Sequence, residues 1–331
     1  MTADTTTAVE TAGPTMGDRL RRLVRERPIV PLLALLVLLV VASELIRPGI
    51  VSANWAGVMV RAAIPLAILA ACQTMTMLTG GIDLSVGAVA SMTGFVVATL
   101  VNGPGLWAGI GIALAVAAIV GLITGIGVGV FKVHPLIMTL GMSLVVLGFA
   151  NVWQLRMVQT GSGVPQEFRW LGAGMFLDYI PRSLLLFIPL AIIIMLVLNR
   201  TGYGRLLYAI GDNEIASRLS GVKAWQVLIV LYVISAVLAG IAGFLYSGLT
   251  NVASVTLVDS AMLPSVAAAV IGGTSIFGGR GGYAGTIVGA LILTVISSIL
   301  SSLGYPEAVR QILYGGLIVL VAAAYNRITG D

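Results

Sequence analysis

Charge is what this sequence has least of: 9% of its 331 residues are charged, whereas 58% are hydrophobic. Its mean hydropathy is +1.06. A soluble domain carries about 25% charged residues, so these ionisable groups are too few to cover a surface that faces water. The composition excludes a soluble enzyme or binding domain and predicts an integral membrane protein.

Cysteine and histidine are each present once. Cys72 lies inside an apolar run, so neither a disulfide nor a cysteine metal site can form within the chain. His134 cannot build a histidine cluster by itself, and we expect no metal and no cofactor. The net charge of +5 would suggest nucleic acid for a soluble protein. Here the arginines are interpreted as signals of membrane topology, and no nucleic-acid partner is expected.

Lysine is scarce as well. The two lysines, Lys132 and Lys223, do not follow a glycine, so the phosphate-binding loop GxxxxGK[ST] is absent. The chain therefore cannot hydrolyse ATP by that route, and we expect it not to be an enzyme. If ATP drives its activity, a separate ATPase subunit must bind it from the cytoplasm.

Carboxylates are missing from the interior of the predicted spans. Asp83 is the one acidic residue between Asn54 and Gln166, and it lies at the junction of two spans. Coupling to protons or sodium usually needs a buried ionisable group near mid-membrane, so ion coupling is disfavoured. A stand-alone secondary transporter of a small polar solute stays the alternative function. An intramembrane enzyme lacks a nucleophile–base pair.

Runs of about 20 apolar residues mark candidate membrane helices. The sequence contains ten such runs, of which the third and eighth are glycine-broken or short: 29–46, 57–78, 85–102, 106–130, 135–155, 183–199, 225–247, 261–277, 284–303 and 309–325. A cytoplasmic amino terminus places the excess of Lys and Arg inside, which predicts that both termini are cytoplasmic. We expect a disordered basic tail at 1–28, one transmembrane domain at 29–325 and a cytoplasmic tail at 326–331.

The stretch TGGIDLSVG separates the second and third runs. Gly80 and Gly81 break the second span, and the third starts near Ser85. Asp83 therefore lies where a helix begins, and a carboxylate there can accept free backbone N–H groups and meets the positive end of the helix dipole. We predict that Asp83 caps this helix. The alternative, that Asp83 contacts the substrate or an arginine, stays open.

A long inner connection, 200–224, contains the signals of a short helix. Asp212 or Asn213 can cap its start, and Gly221 supplies a stop. About eight residues are too few for an independent helix in water. Such a helix persists when it packs on something, and the groove of a partner is the natural candidate. An ordinary amphipathic turn at the membrane interface is the other interpretation.

The same short helix has a charged face and an apolar face. Glu214 and Arg218 have the favourable i,i+4 order. Ile215 and Leu219 are also four residues apart and form a small apolar stripe. This stripe is the predicted contact with the partner.

Four stretches of the sequence resemble one protein family. The inner connection contains GRLLYAIGDNEIASRLSGV, and the others are LTGGIDLSVGAVASMTG (Leu78–Gly94), HPLIMTLGM (His134–Met142) and IGGTSIFGGRGGYAGTIVGALI (Ile271–Ile292). In this order they resemble the permease subunits of sugar ABC importers of the ribose/xylose/galactose class. The resemblance runs from about residue 50 to 325, nearly the whole membrane part.

This resemblance implies an architecture and a set of partners. The fold is expected to be all-α with about ten transmembrane helices, similar to the vitamin B12-type (type II) importer permease. Expected partners are an ABC ATPase subunit with tandem nucleotide-binding domains, an extracytoplasmic sugar-binding protein, a second permease subunit and membrane lipid. The chain would lie in the bacterial inner membrane and carry a monosaccharide or related polyol.

The resemblance also implies where functional residues lie. The gate at the inner mouth and the pathway above it are expected to include Gly80, Gly81, Asp83, Ser85, Thr139, Ser143, Asn151 and Gln154. For Thr139 and Ser143, hydrogen bonding between helices is an equal alternative. The surface that couples to the ATPase is expected to include Gly204, Arg205, Asn213, Glu214, Ile215, Arg218, Leu219 and Gly221.

Overall fold

The computed structural model describes residues 29–157 and 163–329, with side chains described as far as residue 320. The described chain is helical apart from one two-stranded hairpin. Its elements are α1 Ile29–Ile46, α2 Ala53–Leu78, α3 Val86–Leu100, α4 Leu106–Gly129, α5 Pro135–Met157, α6 Gln166–Gly172, β1 Met175–Phe176, β2 Ile180–Pro181, α7 Leu184–Arg200, α8 Gly202–Asp212, α9 Glu214–Leu219, α10 Ala224–Thr250, α11 Asp259–Ile271, α12 Tyr283–Ser302 and α13 Glu307–Thr329.

Each predicted apolar run overlaps a helix, although the helix of the eighth run, 261–277, ends at Ile271. Not every helix is long enough to cross a bilayer. Among the residues that the structure describes, six helices qualify by length and composition: α1, α2, α4, α5, α10 and α12. The pair α7 and α8, bent by 64°, would make a seventh. The 15 residues of α3 span roughly 22 Å, against a hydrocarbon core of about 30 Å. The protein is therefore a multi-pass membrane protein, and the ten crossings and the B12-type architecture stay predictions.

The structure describes only part of the two predicted tails. The amino-terminal tail, 1–28, lies outside the described residues. At the other end, α13 continues to Thr329, past the predicted boundary of the membrane domain at 325. Residues 326–329 thus extend the last helix.

Helix α10 lies in the centre of the bundle, where it contacts α2, α3, α4 and α6. Its contact with α4 is made through a row of glycines spaced by four residues. A Cβ atom at Gly125 would lie 2.6 Å from the Cα of Ile229, and one at Gly129 would lie 2.9 Å from the carbonyl oxygen of Trp225. Small residues on one face allow this close approach of two helices.

The described part of the connection between α5 and α7, residues 163–183, contains α6 and the hairpin of β1 and β2. Its helix α6 packs on α10 through Phe168 and Phe244, whose ring centroids are 4.9 Å apart. A guanidinium nitrogen of Arg61, in α2, donates a hydrogen bond to the carbonyl oxygen of Ala173 at 2.6 Å. The segment therefore covers one end of α2 and α10.

Candidate functional site

The segment 79–85, between α2 and α3, is buried around a single carboxylate. Asp83 is 2% exposed. Its Oδ1 accepts hydrogen bonds from the backbone N–H of Ser85 at 3.0 Å and from the Ser85 hydroxyl at 2.6 Å. Its Oδ2 accepts the hydroxyl of Ser235, in α10, at 2.9 Å. The carboxylate thus joins the start of α3 to the central helix.

This geometry corrects the predicted cap. Ser85, not Asp83, precedes the first residue of α3, and its side chain makes no capping hydrogen bond. Asp83 lies two residues earlier, so its carboxylate reaches the N–H of Ser85 in a local turn rather than the N–H groups inside the helix. The acidic group organises the break before the helix, but it does not cap the helix itself.

Two further side chains hold the backbone of this segment. The amide of Gln73, in α2, donates to the carbonyl oxygen of Asp83 at 2.8 Å and accepts its N–H at 3.3 Å. The hydroxyl of Thr139, in α5, donates to the carbonyl oxygen of Ile82 at 3.2 Å and accepts the N–H of Leu84 at 3.1 Å. Each side chain satisfies one donor and one acceptor of an irregular buried backbone, which hydrocarbon surroundings require.

The other predicted pathway residues of α5 do not join Asp83. Thr139 is fully buried, whereas Ser143 is half-buried one turn further along. Asn151 is exposed and donates to the carbonyl oxygen of Leu147 in its own helix at 2.9 Å. Gln154 is exposed near the far end. For Thr139 the geometry is that of a hydrogen bond between elements, one of the two predicted alternatives.

The inner connection contains two helices where the sequence predicts one. The first, α8, is capped by Thr201, whose hydroxyl accepts the N–H of Gly204 at 3.2 Å. The second, α9, is capped by Asn213, whose Oδ1 accepts the N–H of Ala216 at 2.9 Å. Of the two predicted caps, Asn213 is the right one, because Asp212 is the last residue of α8. Gly221 adopts φ +86° just after α9, where glycine is favoured.

The two predicted faces of α9 are both present. Ile215 and Leu219 are 73% and 86% exposed, so the apolar stripe has no cover among the described residues. Glu214 pairs with Arg218 as predicted, and also with Lys132 at 3.1 Å. Burial opposes ionisation of Glu214, but the hydrogen bonds from Arg218 and Lys132 outweigh it and hold the pKa of its carboxyl below the usual value.

Main-chain contacts bring the inner connection against the end of α2. A Cβ atom at Gly211 would collide with the carbonyl oxygen of Leu78. That same oxygen accepts the N–H of Gly279, in the turn between α11 and α12, at 3.0 Å. The hydroxyl of Tyr208 donates to the carbonyl oxygen of Gly281 at 3.0 Å. Thr139, in α5, bonds to the segment after α2. Residues from all four sequence motifs therefore lie in contact here, and we call this region of contact the junction.

The remaining coupling residues lie at the start of α8, and the two gate glycines follow the end of α2. Gly204 is buried against the end of α7, and Arg205 is exposed. Gly80 has φ +77° and lines a cavity of about 280 Å³ together with Lys132, His134, Glu214 and Tyr232 among others. A Cβ atom at Gly81 would lie 3.1 Å from the Tyr232 hydroxyl. The cavity lies between the predicted gate and the predicted coupling helix.

Sequence reasoning missed three residues of the junction: Gln73, Lys132 and Ser235. Each is a polar residue inside or beside an apolar run. That pattern marks a residue that needs a buried partner, but it does not identify the partner. Within residues 29–157 and 163–329 there is no group of three or more His, Cys, Asp or Glu side chains that could hold a metal ion.

Comparisons with known proteins cover nearly the whole chain. Residues 56–322 match the family described as branched-chain amino acid transport system / permease component. The ribose import permease protein RbsC of Escherichia coli strain K12 is 33% identical over 299 residues, 89% of this chain and 92% of the relative. RbsC of Bacillus subtilis strain 168 is 33% identical over 90% of this chain and 92% of its own length. The fructose import permease protein FrcC of Rhizobium meliloti is 30% identical over 93% of this chain and 88% of its own length. No solved structure matches the chain.

Proposed function

The chain belongs to the branched-chain amino acid transport system / permease component family, and from that premise we propose that it forms the pathway of an ATP-driven importer for a monosaccharide or related polyol. The observation that carries the proposal is the similarity to ribose and fructose import permeases over about nine-tenths of the chain. The family description names branched-chain amino acids, whereas these relatives are named for sugars. The proposal follows the relatives because they match along nearly their full length.

The energy source in this proposal is a separate ABC ATPase with tandem nucleotide-binding domains. The apolar stripe of α9, Ile215 and Leu219, is exposed and would fill a groove of that subunit. The helix has six residues, and the cap by Asn213 and the ion pair of Glu214 with Arg218 hold it in shape. A preformed helix lowers the entropy lost on docking.

The remaining partners follow from the import function. A binding protein outside the cytoplasm would deliver the sugar, and a second permease subunit would complete the pathway. In this arrangement the chain lies in the bacterial inner membrane with both termini in the cytoplasm, as the distribution of Lys and Arg favours. The junction then faces the cytoplasm, where the segment around Asp83 would form the gate.

Reconstitution tests this function. The chain, its co-expressed ATPase and its binding protein are placed in proteoliposomes, and uptake of labelled ribose, fructose and leucine is measured with and without ATP. Sugar uptake that requires ATP supports the proposal. Uptake of leucine and of no sugar contradicts the substrate class. Uptake that needs no ATPase and collapses with an ionophore supports the secondary transporter instead. The chain purified alone should hydrolyse no ATP.

A further inference from the structure

A second cavity, of about 420 Å³, opens among α2, α10, α11, α12 and α13. It lies away from the junction. Helix α12 starts at Tyr283, close to the junction, and the cavity follows its later half from Leu293 to Ser301. The eight helical steps from Leu293 to Ser301 correspond to about 12 Å along the helix axis. The cavity therefore reaches from the far end of the bundle towards its middle.

Hydroxyl groups dominate the polar part of this cavity. Four of them come from one face of α12, because Thr294, Ser297, Ser298 and Ser301 follow the i, i+3, i+4, i+7 spacing. Neighbouring helices contribute the others, which are Tyr246, Ser260 and Tyr314. Thr294 and Ser301 donate to carbonyl oxygens of their own helix, and a hydroxyl that donates can still accept a hydrogen bond from a ligand.

A charged pair stands beside the hydroxyl row. Arg310, in α13, donates from Nη1 to the hydroxyls of Ser297 at 3.0 Å and Ser301 at 3.1 Å. Its Nη2 forms an ion pair with Glu307 at 2.7 Å. Its Nε is buried and has no hydrogen-bond partner among the described residues. The guanidinium is therefore held in place, and its Nε–H group remains as a donor without a partner among the described residues.

We propose that this cavity binds the sugar during its passage, before it reaches the junction. The inference rests on the function proposed above and adds the site. Sugar hydroxyls both donate and accept, so they match a wall of serine, threonine and tyrosine hydroxyls with the carboxylate of Glu307 beside them. Leu66 and Leu293 supply apolar surface for the C–H groups of the ring. The volume falls within the range of small-molecule sites, about 300–1,000 Å³.

The same lining disfavours a branched-chain amino acid. Its aliphatic side chain would bring no hydrogen-bonding group to the hydroxyl row, whereas each hydroxyl of a sugar can donate and accept. Its carboxylate would need a free cation, but Arg310 is already neutralised by Glu307. The cavity therefore fits an uncharged polyol better than a zwitterion.

Thiol labelling tests the site directly. The native Cys72 is fully buried, so the unmodified chain should give no background. Ser297→Cys places a thiol in the cavity, and Ser302→Cys places one on the same helix outside the residues that line it. Both variants, in the complete transporter, are exposed to a small polar maleimide with ribose, fructose or leucine present. We expect a sugar to slow labelling at 297 severalfold and to leave labelling at 302 unchanged.

Two outcomes overturn the inference in different ways. If wild-type transporter carries a sugar but neither ribose nor fructose slows labelling at 297 more than at 302, the cavity is not the site while the function stands. If leucine protects 297 and no sugar is transported, both proposals fall. An independent check uses Thr294→Val, which keeps the shape and removes one hydroxyl. The KM of sugar uptake should rise by about fivefold, as expected for one hydrogen bond, and an unchanged KM contradicts the site.

Discussion

The hydroxyl of Ser235 lies 2.9 Å from Oδ2 of Asp83, although the two residues are 152 positions apart in the chain. The donor belongs to the central helix α10, and the acceptor belongs to the segment between α2 and α3. Because Oδ1 is occupied by Ser85, the carboxylate fixes this segment from two sides. The buried carboxyl group has no Lys or Arg within ion-pair distance among the described residues, so hydrogen bonds alone compensate for its burial.

The first prediction concerns the chemistry that position 83 requires. Asp83→Asn keeps an oxygen for Ser85 and gains an N–H group that can donate to the Ser235 hydroxyl, so most transport should persist. Asp83→Ala leaves buried donors without an acceptor and should lower stability by about 1–3 kcal/mol for each unsatisfied group. Uptake, normalised to the amount of protein in the membrane, and thermal unfolding measure both effects. If Asn behaves as badly as Ala, the negative charge itself is the requirement.

The second prediction separates a hydrogen bond between elements from one within a helix. Thr139→Val removes both bonds to residues 82 and 84 with little change in shape. The free energy of unfolding should fall by about 1–3 kcal/mol, because a buried donor and acceptor lose their partner. The matched control is Thr124→Val: Thr124 is equally buried, but its hydroxyl bonds to Val120 in its own helix. Equal losses for both variants, measured by thermal unfolding in detergent, would argue against a special role for Thr139.

The third prediction addresses the apolar stripe of α9. Leu219→Asp puts a charge on the most exposed member of the stripe, and Gly221→Pro removes a residue that adopts φ +86°. Both variants should insert into the membrane normally but lose the ATPase. Co-purification of the ATPase and substrate-stimulated ATP hydrolysis are measured, with Leu219→Met as the apolar control. Wild-type values for Leu219→Asp and Gly221→Pro would place the docking surface elsewhere.

The fourth prediction is a pH dependence at the same helix. The pKa of Glu214 is lowered in the folded protein, so its pairing stabilises the protein above the unfolded pKa. That contribution is lost as pH falls through the lowered folded value. Hydrogen exchange of α9 amides, corrected for intrinsic rates, should therefore speed up in acid relative to neutral pH. In Glu214→Gln the corrected rates should no longer depend on pH, and persistence of the dependence would exclude Glu214 as its source.

Much of the helix order follows from the sequence, because long apolar runs can hardly be anything else in a membrane protein. The caps at Asn213 and Gly221 were predictable from local chemistry. The separate helix α8 was not predictable, because Gly202, Gly204 and Gly211 lower the local helix propensity. That helix instead depends on tertiary contacts, as Gly211 against Leu78 shows.

The long-range hydrogen-bond and ion-pair partners in the junction could not be predicted from the sequence, for a different reason. Asp83 can be recognised in the sequence as a lone carboxylate, but no local sequence pattern links it to Ser235 or Gln73. Lys132 likewise precedes Glu214 by 82 positions. Pairings of this kind depend on how helices pack, and one sequence does not contain that information.

The contact between Gly211 and the carbonyl oxygen of Leu78 has a mechanical consequence. Side chains absorb small displacements by changing rotamer, but here main chain meets main chain with no room for a Cβ atom. The helix α8 is rigidly bonded internally, and the oxygen it touches also accepts the N–H of Gly279. A displacement of the inner connection would therefore pass directly from main chain to main chain, to Leu78, the last residue of α2 before the buried break at 79–85.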